Sequence, residues 1–248
     1  MKKIIALWLA ALMMAAQPIQ AAVCVGFGQS AASSCMSGTY IFGWGGEWPS
    51  DTDRACDTSG DGTGVNGTVN GSPDISTAYG EGGADVALTA DASGESIKWT
   101  DSAAGRIDLN GAQTIWLRVY ISATPTGDTR FLTASYDTSS YLMIVVRNNR
   151  EVVGTHRIGA TAPTAYGAAL TAGTWTDIAY SWDMPNLDHT INTSGTWEDD
   201  NNELSSTEGT DITEIYMGAQ YGFSMGAGEN IRITKFAIVD GYKATKPW

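Results

Sequence analysis

Two glutamates in the last quarter of the chain have the residue types and spacing for acid–base chemistry on a glycosidic bond. Residues 198–203 read Glu-Asp-Asp-Asn-Asn-Glu, the pattern Glu-x-Asp-x-x-Glu. In retaining glycoside hydrolases, two such carboxyl groups lie about 5 to 5.5 Å apart and act as nucleophile and acid/base. On a catalytic strand, Asp199, Asn201 and Asn202 would face the core, where each unpaired side chain would cost about 1 to 3 kcal/mol. We therefore expect a solvated loop or a cation-binding segment here rather than a catalytic strand.

A second group of oxygen ligands resembles the first half of a calcium loop. Asp57, Ser59 and Asp61 stand at the first, third and fifth positions, and a glycine follows at the sixth. The twelfth position, where a bidentate glutamate is expected, is Thr68. We predict a calcium ion held by Asp57, Ser59 and Asp61, with an aspartate farther upstream replacing the missing ligand; the alternative is a flexible acidic turn.

Aromatic rings in glycine-rich or polar stretches provide candidate sugar-binding surfaces. An aromatic face packs against the apolar face of a sugar, while amides and carboxylates bind its hydroxyl groups. Four aromatic residues outside the predicted strands are expected to be exposed for this purpose: Trp44, Trp48, Trp197 and Tyr221.

The residue types of a polysaccharide lyase are also present. Such enzymes remove the proton next to a uronate carboxylate with His or Tyr, while Arg and Gln hold the carboxylate. The candidates are Arg118, Tyr120, His156, Tyr216 and Gln220. The strand motifs of jelly-roll lyases are missing, however, and both histidines, His156 and His189, are expected at the surface near strand ends. The sequence also lacks a nucleophile elbow, a phosphate-binding glycine loop and zinc-ligand spacing, so binding is favoured over catalysis.

The first residues predict export. Lys2 and Lys3 precede a short apolar run, and Gln20-Ala21 offers a cleavage site, so residues 1–21 read as a Sec-type signal peptide. The chain carries a formal net charge of −13. Such acidity argues against nucleic acid and anionic membranes as partners. We expect a secreted, periplasmic or cell-surface protein.

Three cysteines occupy the region after the predicted cleavage site. In an oxidising compartment two of them should form a disulfide, although the sequence does not say which two. The candidates are Cys24, Cys35 and Cys56. The remaining thiol is available for a bond to another chain, which supports an alternative role as a self-associating structural or adhesive subunit. The apolar segment Tyr40–Phe42 is a candidate strand for extending the sheet of a neighbouring molecule.

Period-two alternation predicts an all-β domain from residue 74 onward. In residues 114–121, Ile115, Leu117, Val119 and Ile121 share one face. Other predicted strands are 96–99, 130–136, 141–147, 151–156, 173–183, 190–192, 215–218 and 231–238. We expect Asn148-Asn149 to form a hairpin turn with positive φ. Residues 22–73 are rich in glycine and cysteine and are expected to form a separate irregular region. Many short strands without a long helix indicate a two-sheet antiparallel sandwich.

An ordered series of segments resembles a laminin-G-like domain of the concanavalin A-like lectin/glucanase superfamily. The segments are 110–119, 170–183, 190–196, 215–218 and 231–238, and the resemblance covers roughly residues 74–242. It implies a jelly-roll sandwich, recognition of sugars, proteins or surfaces, and often a calcium ion on its rim. It also implies structural roles for Trp116, Trp175 and Trp182.

Together these features predict three segments: a signal peptide at 1–21, a Cys/Gly-rich region at 22–73 and a laminin-G-like jelly roll at 74–248. The predicted function is non-catalytic carbohydrate binding, with polysaccharide or a surface glycan as partner and calcium as a possible cofactor. The alternatives are a jelly-roll lyase or glycoside hydrolase, and a self-associating structural subunit.

Overall fold

The alternation in residues 112–121 produces a strand with one buried face. Ile115, Leu117 and Val119 are fully buried, whereas Arg118 and Tyr120 on the opposite face are only partly covered. The same division holds in Thr176–Asp183, where Ile178, Tyr180 and Trp182 are buried in the core. One side of each strand therefore supplies the core, and the other forms an outer surface.

The computed structural model describes residues 40–44, 68–83, 87–90, 94–100, 107–136, 140–158, 160–199, 204, 212–218 and 231–248. The strands in these ranges are β1 Phe42–Trp44, β2 Thr68–Asn70, β3 Asp74–Ser76, β4 Ala87–Ala90, β5 Ser96–Thr100, β6 Ala112–Ile121, β7 Thr129–Ser135, β8 Ser140–Val146, β9 Glu151–Ile158, β10 Thr164–Ala169, β11 Thr176–Asp183, β12 Asp188–Thr193, β13 Thr196–Asp199, β14 Glu214–Gly218 and β15 Ile231–Asp240. Short 3-10 turns occur at Thr77–Tyr79, Glu81–Gly83 and Met184–Asn186. In the described part of the chain, no helix is both long and apolar enough to cross a membrane.

The strands form two antiparallel sheets around one core. Sheet A has the order β13-β12-β11-β6-β15-β4-β3, with β1 also paired to β15, and sheet B has the order β10-β9-β8-β7-β14-β5-β2. Buried residues of both sheets belong to the same cluster, among them Leu117 of β6 and Ile144 of β8. The prediction of an all-β, two-sheet antiparallel architecture is confirmed.

Two segments of the predicted N-terminal region are part of these sheets. β1 pairs with β15 through Phe42↔Ile238, and β2 pairs with β5. The expectation that residues 22–73 lie outside the sandwich does not hold for these segments. Nor is Tyr40–Phe42 available to a neighbouring molecule along the edge that β15 occupies, since Ile41 N donates to Ile238 O.

Two turns specify strand register. Ser194 and Gly195 join β12 to β13 with φ values of 57° and 93°, as expected for a two-residue hairpin. The Oδ1 of Asn192 accepts a hydrogen bond of 2.9 Å from Gly195 N. Between β8 and β9 the positive φ falls on Arg150, at 68°, not on the asparagines. The predicted hairpin is present, but its left-handed position was misplaced.

Candidate functional site

A cleft of about 450 Å³ opens on the outer face of sheet A. It lies between the loop that leads into β11, the β12–β13 hairpin and the C-terminal segment. We call it the Trp175 cleft. Its lining is Trp116, Arg118, Ala169, Leu170, Thr171, Thr174, Trp175, Thr176, Asp177, Ser194, Gly195 and Lys246.

The loop of residues 170–175 forms one wall because it connects the two sheets. At its start Leu170 N donates to Arg150 O, in the β8–β9 turn of sheet B. Near its end Gly173, with φ of 80°, donates through its N–H to Ile121 O at the end of β6. A left-handed conformation of this kind favours glycine. Both anchors hold Trp175 at the mouth of the cleft.

Asp177 is the electrostatic centre of the cleft. Its carboxylate accepts hydrogen bonds from Arg118 Nη1 at 2.8 Å, Lys246 Nζ at 2.5 Å and Trp248 Nε1 at 3.2 Å. Burial raises the pKa of Asp177, but the bonds from Lys246 and Arg118 outweigh it and leave the pKa below its ordinary value. The group is therefore a carboxylate at neutral pH, fixed in position by three donors.

Arg118 is held from two sides. Besides Asp177, its guanidinium donates from Nε and Nη2 to the two carboxylate oxygens of Glu81, at 2.6 and 2.5 Å. The bonds to Glu81 are the largest cause that raises the pKa of Arg118 above its ordinary value. This two-pronged geometry is the one that a guanidinium matches best. Arg118 therefore presents a rigid positive edge to the cleft.

A ladder of stacked groups supports the Trp175 ring. Its centroid lies 5.4 Å from that of Tyr120. The guanidinium of Arg232 lies 4.7 Å from the Tyr120 ring and 5.0 Å from the Tyr79 ring. Cations over aromatic faces are attracted by the ring quadrupole. The indole of Trp175 is partly buried. The Tyr120 ring supports it on the side of the sheet.

The C-terminal segment covers the neighbouring part of the outer face. Trp116 Nε1 donates to Ala244 O at 2.9 Å, and Lys243 N donates to Ser181 Oγ at 2.7 Å. Trp116 is 6% exposed and makes an edge contact with Trp197 at 5.8 Å between ring centroids. The segment therefore brings Lys246 to the cleft and completes one of its walls.

The lining of the Trp175 cleft combines apolar, polar and charged groups. Its partly buried indole, threonine hydroxyls and charged groups can bind hydroxyl or carboxylate groups of a ligand. The described lining contains no histidine or cysteine. Among the described residues no cluster of three or more His, Cys, Asp or Glu could hold a metal ion.

The four aromatic residues proposed for sugar binding have different outcomes. The exposure expected of Trp44 is not found: its side chain is 1% exposed because β1 pairs with β15 and turns the ring into the core. Trp197 is partly exposed and packs beside Trp116. Trp48 and Tyr221 lie outside the described residues, as do the predicted calcium ligands Asp57, Ser59 and Asp61 and the cysteines Cys24, Cys35 and Cys56.

Trp175 was not predicted to line a cleft. Its position in a recognisable strand segment indicated a structural role, and the rings of Trp116 and Trp182 are indeed buried. Trp175, however, precedes the first residue of β11 and lines the cleft. Gly173 could have identified Trp175 as a candidate. The same feature, a glycine near an aromatic residue, was used to select Trp44 and Trp48, because glycine covers little of a neighbouring ring.

The lyase candidates do not come together. Arg118 and Tyr120 lie on the outer face of sheet A, whereas Tyr216 lies on the outer face of sheet B, as its register with Lys98 shows. Both histidines are 1% exposed, which corrects the expectation that they are at the surface. They face the core because His156 is opposite Leu142, and His189 is opposite Trp182. Gln220 lies outside the described residues.

The prediction of a loop for the paired-glutamate segment is also partly corrected. Glu198 and Asp199 belong to strand β13 at the edge of sheet A, not to a loop. Glu203 lies outside the described residues, so the distance between the two carboxyl groups stays untested.

Comparison with known proteins identifies the fold through structure alone. No protein-family model and no curated protein matches the sequence. Solved structures do match: the receptor-binding domain of a botulinum neurotoxin C/D mosaic serotype has a TM-score of 0.65 and 12% identity over 83% of this chain and 48% of its own. The binding domain of botulinum neurotoxin DC in complex with SialylT has a TM-score of 0.63 and 13% identity over 84% of this chain and 50% of its own.

A third structure comes from botulinum neurotoxin type C, whose cell entry depends on interaction with two ganglioside molecules. It has a TM-score of 0.57 and 14% identity, and covers 76% of this chain and 45% of its own. This chain thus spans about half the length of the domains it resembles. At such identity the likeness shows a β-sandwich of the same kind, and the resemblance to laminin-G-like domains stays a prediction.

Proposed function

We propose that this protein is an exported, non-catalytic glycan-recognition module that binds its ligand in the Trp175 cleft. The observation that carries the proposal is the half-buried Trp175 indole, braced by Tyr120 beside the fixed Asp177–Arg118 pair. An aromatic face next to rigid charged groups is what a sugar needs for stacking and for oriented hydrogen bonds.

The charged groups favour a ligand with both hydroxyl and carboxylate groups. Asp177 accepts hydrogen bonds from sugar hydroxyls, and Lys246 and Arg118 donate to hydroxyl or acidic groups. Because these three residues already hold each other in position, little side-chain entropy is lost when the ligand binds. Structural neighbours that bind gangliosides or SialylT support the class of ligand only, since fold alone does not determine a site.

Two further parts of the proposal concern the residues outside the described ranges. We propose that residues 1–21 direct export and that Asp57, Ser59 and Asp61 bind calcium with a structural role. A melting transition that rises with calcium in the wild type, and no longer rises in an Asp57→Asn, Asp61→Asn variant, tests the second part. An equal rise in both proteins would contradict it.

A panel of neutral and acidic polysaccharides tests the function. A ligand at about 100 times its Kd stabilises the folded state by about 2.7 kcal/mol, which raises the melting temperature by roughly 5 to 10 °C for a domain of this size. Each glycan that shifts the transition is then incubated with the protein, and reducing ends and unsaturated products are measured. A shift without products is expected; product formation would show a hydrolase or lyase instead. The absence of any shift would favour the structural alternative, with size-exclusion behaviour in reductant as its readout.

A further inference from the structure

Arg232 of β15 is a cation on the outer face of sheet A that does not line the Trp175 cleft. Its guanidinium lies 4.7 Å from the centroid of the Tyr120 ring and 5.0 Å from that of the Tyr79 ring. Within the described part of the chain, no hydrogen bond or ion pair involves this side chain. The two rings attract its charge, but an arginine side chain also has five N–H donors. These donors are available to an acceptor from outside the chain.

The residue opposite Arg232 also has unused hydrogen-bonding capacity. Thr89 of β4 is paired with Arg232 in the sheet register, and both side chains are on the outer face because the adjacent Leu88 and Ile233 face the core. Thr89 is 5% exposed, and its Oγ1 has no hydrogen-bond partner among the described residues. The Nε of Arg232 is likewise buried without a partner there. Buried polar atoms of this kind are rare in native proteins, so two in neighbouring positions indicate a binding site.

A short turn covers this pair of residues. The 3-10 turn Thr77–Tyr79 packs against β4 and places the Tyr79 ring beside Arg232. Tyr79 and Arg232 are themselves only partly buried. The end of the guanidinium is therefore open to a ligand, and rotation of the Tyr79 side chain would give access to the two buried atoms.

The carboxylates nearest to Arg232 do not offset its charge. Both oxygens of Glu81, two residues after Tyr79, accept hydrogen bonds from Arg118. Asp74 of β3 is opposite Thr89, so its backbone is two strand spacings, about 10 Å, from that of Arg232. Asp74 forms no ion pair with a described residue. The positive charge of Arg232 is thus free to attract an external anion.

Arg232 lies next to the Trp175 cleft on the same surface. The Tyr120 ring is between them, with its centroid 5.4 Å from that of Trp175 and 4.7 Å from the guanidinium. The indole and the guanidinium are therefore within about 10 Å of each other. A ligand longer than one sugar ring can pack on Trp175 and also contact Arg232.

We propose that Arg232 and Thr89 form an anion subsite, which binds the carboxylate or sulfate group of an acidic glycan while a neighbouring sugar unit packs on Trp175. A guanidinium matches such an oxyanion in a two-pronged geometry, and the Thr89 hydroxyl is a further donor. The flanking rings restrict the guanidinium, so little side-chain entropy is lost on binding. The anion subsite stands without the cleft, but its assignment to a glycan rests on the proposed function.

Titration with sodium acetate and with sodium sulfate, each compared with sodium chloride at equal ionic strength, tests the anion subsite. The readout is the melting temperature, because an anion that binds only the folded state stabilises it. The variants are Arg232→Gln and Thr89→Val. The matched control is Arg147→Gln, which also removes an arginine beside a tyrosine ring, Tyr166 at 4.9 Å, but one that already has a carboxylate partner, Glu151.

We expect acetate, sulfate or both to stabilise the wild type and Arg147→Gln more than Arg232→Gln. The general stabilising effect of sulfate on folded proteins is common to all variants. Arg232→Gln should bind the anion at least about five times more weakly, the upper end for an exposed ion pair, because partial burial strengthens the contact. Thr89→Val should bind it about 2 to 10 times more weakly without a lower melting temperature in chloride, since its hydroxyl has no partner to lose. Equal anion effects in wild type and both subsite variants, or an equal loss in Arg147→Gln, would overturn the subsite.

Tetragalacturonate and its fully methyl-esterified form connect the subsite to a glycan. Calorimetry should show tighter binding of the acid than of the ester by wild type and no such preference in Arg232→Gln, whereas Trp175→Ala should weaken both. Where sulfate gives the larger thermal shift, a sulfated galactan tetrasaccharide and its desulfated form replace this pair. Equal binding of the acidic and neutral forms by wild type would overturn the inference and leave the proposed function intact. An Arg232-dependent preference that Trp175→Ala does not weaken would instead contradict the cleft and leave the anion subsite intact. Binding of the small anions alone would overturn the assignment to a glycan.

Discussion

Acid should destabilise this protein through one buried histidine, His156. Its side chain is 1% exposed, and neither ring nitrogen has a hydrogen-bond partner among the described residues. The ring lies edge-on to Trp182, with centroids 6.3 Å apart. Desolvation, with a smaller contribution from repulsion by His189, lowers the pKa of His156 to about 4. The imidazole is therefore neutral in the folded protein at pH 5 to 7.

The sign and size of the effect follow from linkage. In the unfolded chain the ring has a pKa near 6.5 and takes up a proton as the pH falls below that value, whereas the folded protein stays unprotonated until about pH 4. The free energy of unfolding should therefore fall between pH 6.5 and pH 4. The loss between pH 7 and pH 5 is about 2 kcal/mol, and the full window corresponds to about 3 kcal/mol.

Replacement of His156 by leucine isolates this contribution. Urea unfolding of wild type and His156→Leu is measured at pH 7, 6, 5.5 and 5, where most carboxylates are still ionised in both states. We expect the variant to gain about 2 kcal/mol relative to wild type between pH 7 and pH 5, whatever their difference at pH 7. Parallel pH dependence in the two proteins would refute the assignment.

The remaining predictions concern packing and a turn. Gly154→Ala should lower the free energy of unfolding by about 1 to 3 kcal/mol, because the added Cβ would lie 2.1 Å from a Tyr180 ring carbon. Gly127→Ala, with no atom within 4 Å of its Cβ position, is the control and should change it by less than about 0.5 kcal/mol; equal losses would contradict the packing argument. Ser194→Asn should stabilise the protein by a few tenths of a kcal/mol because asparagine tolerates the positive φ of 57°, and a lower denaturation midpoint would contradict this.

Local patterns were sufficient to predict most of the strands. β6 and β11 alternate strictly, so their core-facing residues could be identified before any tertiary contact was known. β10 has the composition Thr-Ala-Tyr-Gly-Ala-Ala and no alternation of large apolar residues, and it was missed. In the region of β1, Tyr40–Phe42 was a candidate strand, but Trp44 was assigned to a glycine-rich stretch outside the strands. The pairing of β1 with β15 could not be predicted, because the partner is almost 200 residues away.

The site was harder to predict because its parts come together from distant segments. Arg118 could be placed on an outward face, but its contacts with Glu81 and Asp177 depend on three separate elements. The burial of His156 similarly depends on Trp182 from the opposite sheet. Periodicity assigns a side chain to a face, but it does not say which other residues share that face across the fold.

The central claim is that the Trp175 cleft binds a glycan. Its most direct test is the Kd of the glycan that gives the largest thermal shift, measured by calorimetry for wild type, Trp175→Ala and the control Tyr136→Ala. Tyr136 is 50% exposed and lies after β7 in sheet B, so its loss removes an exposed aromatic ring away from the cleft. The account predicts at least about tenfold weaker binding for Trp175→Ala, equivalent to about 1.4 kcal/mol, and an unchanged Kd for Tyr136→Ala. An unchanged Kd for Trp175→Ala would contradict it.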